Sequence, residues 1–338
     1  MKKKITNVLH MLSIPLGVYV LMFVICRLSG AEGFGVGSDL VVMLRNAMTT
    51  GCIALAVSYN LTSGRFDFSV GATLVLACIF GGRLVSALGI HSLGGALVLL
   101  VSVALFGALL GAFNGGIYVL LRLPPMICSL GVCMLFEAIG YVFTGGSGVS
   151  FLGRNDLLIW ASSPTIYVLM VAILLVLYVL LNKTRFGYDS RSLRTGQEIA
   201  VNSGINEKRN AVFCYLIAGA LLGVAGVLNM SVYGKMDPEV GLTSISYIQS
   251  AFLPMFIGNY LEKYGDRNVG VIMGAIAQAE ITAAFGRMGV SSSMQNVLSG
   301  VIVIGFFAYS GNVYRLVEMR MFREKKLRAL EMRKVEKI

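Results

Sequence analysis

The chain runs to 338 residues, 56% of them hydrophobic and only 13% charged, about half the ~25% charge of a soluble protein. That is too little charge to cover a water-facing surface, which excludes a cytosolic enzyme, a disordered chain and a disulfide-stapled secreted domain. The net charge of +11 would suggest nucleic acid on a soluble domain with a basic face, but here Lys and Arg fall in loops and tails between apolar runs, a membrane pattern.

A bilayer core takes about 20 apolar residues per helix. In chain order, ten runs qualify as spans of an all-α polytopic membrane protein: Leu9–Leu28, Leu40–Leu61, Val70–Leu88, Ala96–Leu121, Pro125–Phe143, Thr165–Leu181, Ala211–Val232, Ile245–Leu261, Val269–Phe285 and Met294–Tyr309. The first resembles a signal peptide, with Lys2-Lys3-Lys4 before it and Ser29-Gly30-Ala31 after it. Its apolar run is too long for that and nine more follow, so it reads as a retained anchor. With the N-terminus inside and the spans alternating, inside segments hold 22 of the 28 Lys and Arg, which predicts both termini in the cytoplasm. Trp160 and Tyr167 flank the sixth span, where an aromatic belt is expected. Residues 1–313 then form the transmembrane domain, with a cytoplasmic loop at 183–210. The nine basic residues of 314–338, mixed with Leu, Met and Phe, predict a basic amphipathic tail on the anionic inner leaflet.

Lipid tails are as apolar as Leu, so spans associate through close packing and polar contacts. Small-xxx-small rows supply the packing: Gly107, Gly111 and Gly115 in the fourth span, Gly219 and Gly223 in the seventh, Gly270 and Gly274 in the ninth. They suit tight packing within one bundle or, alternatively, a homodimer seam. Arg45, Arg83, Glu137 and Glu280 fall inside spans, as do Asn60, Asn114, Gln249 and Gln278. Embedded ionisable groups are costly. The two glutamates could pair with the arginines, line a polar path or carry protons. All six cysteines lie inside apolar runs with no C-x-x-C pair, so they read as small hydrophobes and not as a metal or redox site. His10 and His91, the only histidines, leave little for imidazole chemistry.

The loop at 183–210 carries a second signal. Thr195-Gly196-Gln197-Glu198 has capping-box spacing, with Thr195 at the N-cap and Glu198 at N3. Gly204 suits the left-handed position that ends a helix. A helix of about two turns, roughly 12 Å long, is thereby delimited outside the membrane. Ile199 and Ser203 share one of its faces, Gly196 and Ala200 the neighbouring one. Such a knob is shaped to sit in another protein's groove.

Glu198-Ile199-Ala200, three residues, then Gly204 resembles the E-A-A-x-x-x-G coupling loop of permease subunits of bacterial ABC importers. Thr184-Arg185-Phe186-Gly187, Ser203-Gly204-Ile205 and the run Ala218 to Gly226 are similar to the ribose and galactose branch of that family. So are Phe66-Asp67-Phe68-Ser69-Val70-Gly71, against I-D-L-S-V-G, Asn114-Gly115, and Pro125 to Gly131, against P-x-I-x-T-L-G. The likeness covers about residues 40–310. It departs at Arg65, where the family has glycine, and at Gly258 to Arg267, which has lost most of a glycine-rich stretch; Glu137 is also unexpected.

The resemblance implies a multi-pass subunit of the bacterial plasma (inner) membrane. It also implies a second permease chain, ATPase subunits and an extracytoplasmic solute-binding protein as partners, with no role for nucleic acid. Thr195, Glu198, Ile199, Ala200 and Gly204 would couple to the ATPase. The candidate translocation path comprises Asn60, Asp67, Ser69, Asn114, Ser129, Glu137, Gln249 and Glu280. The chain has no G-x-x-x-x-G-K-[ST] loop, so it is expected to bind no cofactor, with ATP and Mg held by the partner. Asp67 has two readings, a cap on the next helix or part of an interrupted helix lining the path. The leading expectation is ATP-driven import of a sugar-like solute. The alternative is a proton-coupled secondary transporter using Glu137 or Glu280, and a non-transporting scaffold is a third reading.

Overall fold

The computed structural model describes residues 2–312, apart from 62, 91, 92, 292, 296, 307 and 309–311. Residues 1–289 form one unit and 290–338 another. In the second, the apolar helix Ser293–Phe306 is described; the end of the tenth expected span and the basic tail at 314–338 lie outside the described residues.

The first unit is a helical bundle: α1 (Lys2–Leu28), α2 (Ser38–Leu61), α3 (Val70–Leu88), α4 (Leu93–Leu121), α5 (Pro125–Thr144), α6 (Thr165–Lys183), α7 (Arg185–Thr195), α8 (Gln197–Asn202), α9 (Glu207–Tyr233), α10 (Ser246–Leu261) and α11 (Arg267–Arg287). The only sheet among the described residues is a two-residue antiparallel pair, Val149–Ser150 with Lys235–Met236. The first nine expected apolar runs fall on helices, and the tenth does so as far as Phe306. Among the described residues, eight helices are long and apolar enough to cross a bilayer, while α10, with 16 residues, and Ser293–Phe306 are shorter. α7 was not anticipated from the sequence: it carries Arg185, Arg191 and Arg194 and has no apolar run to announce it.

Polar contacts define the two ends of the bundle. At one end Arg194 meets Glu262, Asn210 meets Ser190, and Arg267 donates to Ser58. At the other, Arg287 forms a two-point ion pair with Asp39, joining the start of α2 to the end of α11. α7 and α8 lie at the first, basic end. α1 and α6 are peripheral and expose Leu16, Val20, Val168 and Leu175, while α3, α9 and α11 are largely buried.

The glycine rows explain the tightest contact. A Cβ on Gly107 would collide with the Gly219 carbonyl, one on Gly111 with the Tyr215 carbonyl, and one on Gly223 with the Val103 carbonyl. α4 and α9 therefore touch backbone to backbone, the approach that small residues permit where hydrophobicity drives nothing. Gly274 makes the same approach to Pro254 of α10. The rows serve packing within the chain. Trp160 is not part of a surface belt: it is buried and its indole N–H donates to the Ala96 carbonyl at 2.8 Å. All six cysteines are buried and free.

Candidate functional site

Two helices begin inside the bundle instead of at its ends. The first is α3. The chain leaves α2 at Leu61 and returns through an irregular joint to Ser69, the N-cap of α3. Asp67 closes this start: its Oδ1 accepts the Ser69 N–H at 2.9 Å, the Ser69 hydroxyl at 2.7 Å and the Asn114 amide at 3.2 Å. Asn114 also donates to Ser69 Oγ at 2.8 Å. From the facing helix, Ser129 Oγ accepts the Phe68 N–H at 3.0 Å. Asp67, Ser69, Asn114 and Ser129 are thus one buried cluster. Asp67 does meet the helix start, through a two-residue turn, and irregular backbone at this depth is tolerated because protein surrounds it.

The second internal start is α10. After α9 the chain pairs Lys235–Met236 with Val149–Ser150 just beyond the end of α5, then turns into the bundle. The Leu242 N–H donates to Glu137 Oε2 at 2.8 Å and the Ser244 N–H to Glu137 Oε1 at 3.1 Å. Glu137 stands 12 residues beyond Pro125 on α5, about 18 Å along at 1.5 Å per residue. α10 therefore starts near mid-depth, which is why it is short. Leu242 takes a left-handed φ of 67°, sparsely allowed for a non-glycine residue, and Glu137 holds it there. A carboxylate at a helix start also complements the dipole.

Ser129, Cys133 and Glu137 lie four residues apart on α5, so they share one face. Cys133 Sγ sits 3.4 Å from Ser244 Oγ. This spacing is the signal by which the sequence could have added Cys133 to the site; nothing in the sequence joins Glu137 to Leu242 and Ser244. The expected pairing of the glutamates with Arg45 and Arg83 does not occur. Glu137 meets backbone N–H groups, Arg83 donates to the Gly148 carbonyl, and Glu280 Oε2 is buried without a hydrogen-bond partner among the described residues. Asn60 is buried at the end of α2, and Gln249 is exposed on α10. Asn60 and Glu280 make no hydrogen bond to the Asp67 cluster among the described residues.

The outer side of the α10 start differs from the rest of the bundle surface at this depth. Thr243, Ser246 and Gln249 are all exposed there, neutral and polar. Three such groups in a row do not suit hydrocarbon. They suit water, a solute or another subunit. No group of three or more His, Cys, Asp or Glu is placed to hold a metal among the described residues.

At the basic end the short helix appears as expected over its last turn and differs at its start. Gly196, not Thr195, is the N-cap of α8; Thr195 ends α7 and its hydroxyl donates to the Arg191 carbonyl at 3.0 Å. α7 continues through the position where the capping box would open, so the box does not form. The other end closes with Gly204 at φ +90°, its N–H on the Val201 carbonyl and that of Ile205 on the Ala200 carbonyl, the paired bonds of a left-handed glycine cap. Ala200 is buried, while Ile199 is 75% exposed and Val201 41%. Arg65, where the family has glycine, is 3% exposed and lies 3.9 Å from Glu207 in the first turn of α9.

A bundle of membrane-length helices with two interrupted elements and an apolar knob at its basic end defines a multi-pass membrane permease. Residues 40–307 match the family described as the branched-chain amino acid transport system permease component, and the chain belongs to that family. It is 27% identical over 296 residues to a ribose import permease protein of Bacillus subtilis, covering 86% of this chain and 89% of the relative. It is 27% identical over 273 residues to a galactose/methyl galactoside import permease protein of Haemophilus influenzae (75% and 80% covered). It is 26% identical over 270 residues to an autoinducer 2 import system permease protein of Escherichia coli (75% and 78% covered).

Proposed function

We propose that this chain is the membrane-spanning subunit of an ATP-driven importer for a neutral, hydroxyl-rich solute of monosaccharide size. ATP hydrolysis belongs to a separate ATPase subunit docked on α8 in the cytoplasm, and a second permease chain and an extracytoplasmic binding protein complete the assembly. The observation that carries this reading is the exposed Ile199 on a helix capped at Gly204, at the basic end of a bundle whose relatives are import permeases.

The solute class follows from the α10 start. Asp67 and Glu137 are buried and engaged by internal donors. The exposed face beside them offers the Thr243 and Ser246 hydroxyls and the Gln249 amide, with the Glu239 carboxylate accepting from Thr243 at 2.6 Å. Hydroxyls, an amide and one carboxylate acceptor suit the hydroxyl groups of a sugar. The proton-coupled alternative has no support from the relatives, which are import permeases, and Glu137 is committed to two backbone N–H groups.

The test is co-purification with the cognate ATPase subunit. Gly204→Val forces a β-branched residue into a left-handed position, at a cost of about 1–2 kcal/mol. Ile199→Asp instead removes the apolar contact without disturbing the cap. Both should reduce ATPase recovery and sugar uptake while the bundle still purifies. Full recovery with both variants would refute docking at α8.

A further inference from the structure

The docking unit touches α10 at one place, and α10 runs from there to the interior. Arg194, near the end of α7, grips Glu262 with two parallel bonds, Nη1 to Oε2 at 3.1 Å and Nη2 to Oε1 at 2.5 Å. Such a fork fixes direction as well as distance. Glu262 is the C-cap of α10, its own N–H bonded to the Gly258 carbonyl, so it moves with that helix. α7 also meets α9, through Ser190 with Asn210 at 2.9 Å and Phe186 beside Phe213, but on its α10 and α11 side it is not close-packed. A cavity of about 310 Å³ separates Gly187, Ser190 and Arg191 from Tyr59 and Asn268. The other charges around the pair are Lys263, whose ammonium lies over the Tyr260 ring at 3.8 Å, and Asp266 and Arg267 at the start of α11.

At its far end α10 is pinned by Glu137 through Leu242 and Ser244. The helix between has 16 residues, about 24 Å from end to end, with Pro254 inside it braced against Gly274 of α11. Both pins lie where the family resemblance fails, one in the stretch that has lost its glycines and one at Glu137 itself.

The geometry points to the Arg194–Glu262 fork as the contact that passes motion of the docking unit to the solute face: α10 is the connecting rod between the ATPase and the Thr243–Ser246–Gln249 surface. This rests on the ATPase docking at α8, and Arg194 and Glu262 are positioning residues in it. Closure of the ATPase pulls α7 and α8 together, the cavity gives α7 room to swing, and the fork converts the swing into displacement of α10. A two-point ion pair half open to water adds little stability by itself, so direction is its main contribution.

The test needs no knowledge of the solute. Ser246→Cys introduces one accessible thiol at the far end of the rod, and the unsubstituted chain, whose cysteines are buried, reports the background. In the purified complex with its ATPase, maleimide labelling of that thiol should change about fivefold or more between the nucleotide-free and ATP–vanadate-trapped states. Adding Arg194→Ala should shrink the change below about twofold while the ATPase still co-purifies, and the swap Arg194→Glu with Glu262→Arg should restore it. The inference is overturned if Arg194→Ala leaves the change intact, if it instead releases the ATPase, if the swap fails to restore what Arg194→Ala removes, or if Ser246→Cys alone shows no nucleotide dependence. An unsubstituted chain that binds no ATPase would overturn the proposed function itself.

Discussion

The starts of α3 and α10 solve the same problem by different routes. Both expose helix N–H groups within the bundle, where no water is at hand to satisfy them, and both are met by a carboxylate. At α3 the carboxylate is Asp67, two residues from the Ser69 it binds, with Asn114 and Ser129 as further partners. At α10 it is Glu137, 105 residues before Leu242, and it alone accepts the two N–H groups. A local closure forms as the segment folds and shares its load among several groups. The remote closure forms only when α5 and α10 have met, and it depends on one side chain.

Substitutions should separate the two. Glu137→Ala leaves two buried N–H groups unsatisfied at about 1–3 kcal/mol each, so thermal unfolding in detergent should show a loss of about 2–6 kcal/mol. Glu137→Gln should fall between, because an amide keeps one acceptor and turns a donor toward the other N–H. Asp67→Ala should cost less, about 1.5–3 kcal/mol, since the Ser69 hydroxyl and Asn114 still bond each other. Ser129→Ala, which removes one neutral acceptor from the Phe68 N–H, should cost about 0.5–1.5 kcal/mol in the same measurement. An Asp67→Ala loss as large as that of Glu137→Ala would erase the distinction.

The same contrast marks what could be read from the sequence. The apolar runs located every long helix, because in a bilayer length and hydropathy leave few choices. Asp67, Ser69 and Asn114 all stand among the path candidates of the sequence, the first two only two residues apart, but no spacing there joins Asn114 to them. The glycine rows marked α4 and α9 as close-packing helices, within one bundle or at a dimer seam, without pairing the two. What escaped is remote or polar. The fork of Arg194 with Glu262 joins residues 68 apart, and no pattern in either segment points to the other. α7 escaped because a cationic helix at a membrane surface has no hydrophobic period to display. Thr195 misled because capping-box spacing states what a helix start could use, and α7 had already claimed that residue for its own last turn.

The backbone contact between α4 and α9 has a consequence for how such a bundle can rearrange. Side chains at an interface exchange rotamers and let two helices settle at a range of separations. Bare carbonyls against bare Cα atoms have no such latitude, so the pair holds one spacing or comes apart. It is best pictured as a keel, the fixed frame against which the lighter timbers of the vessel are free to shift.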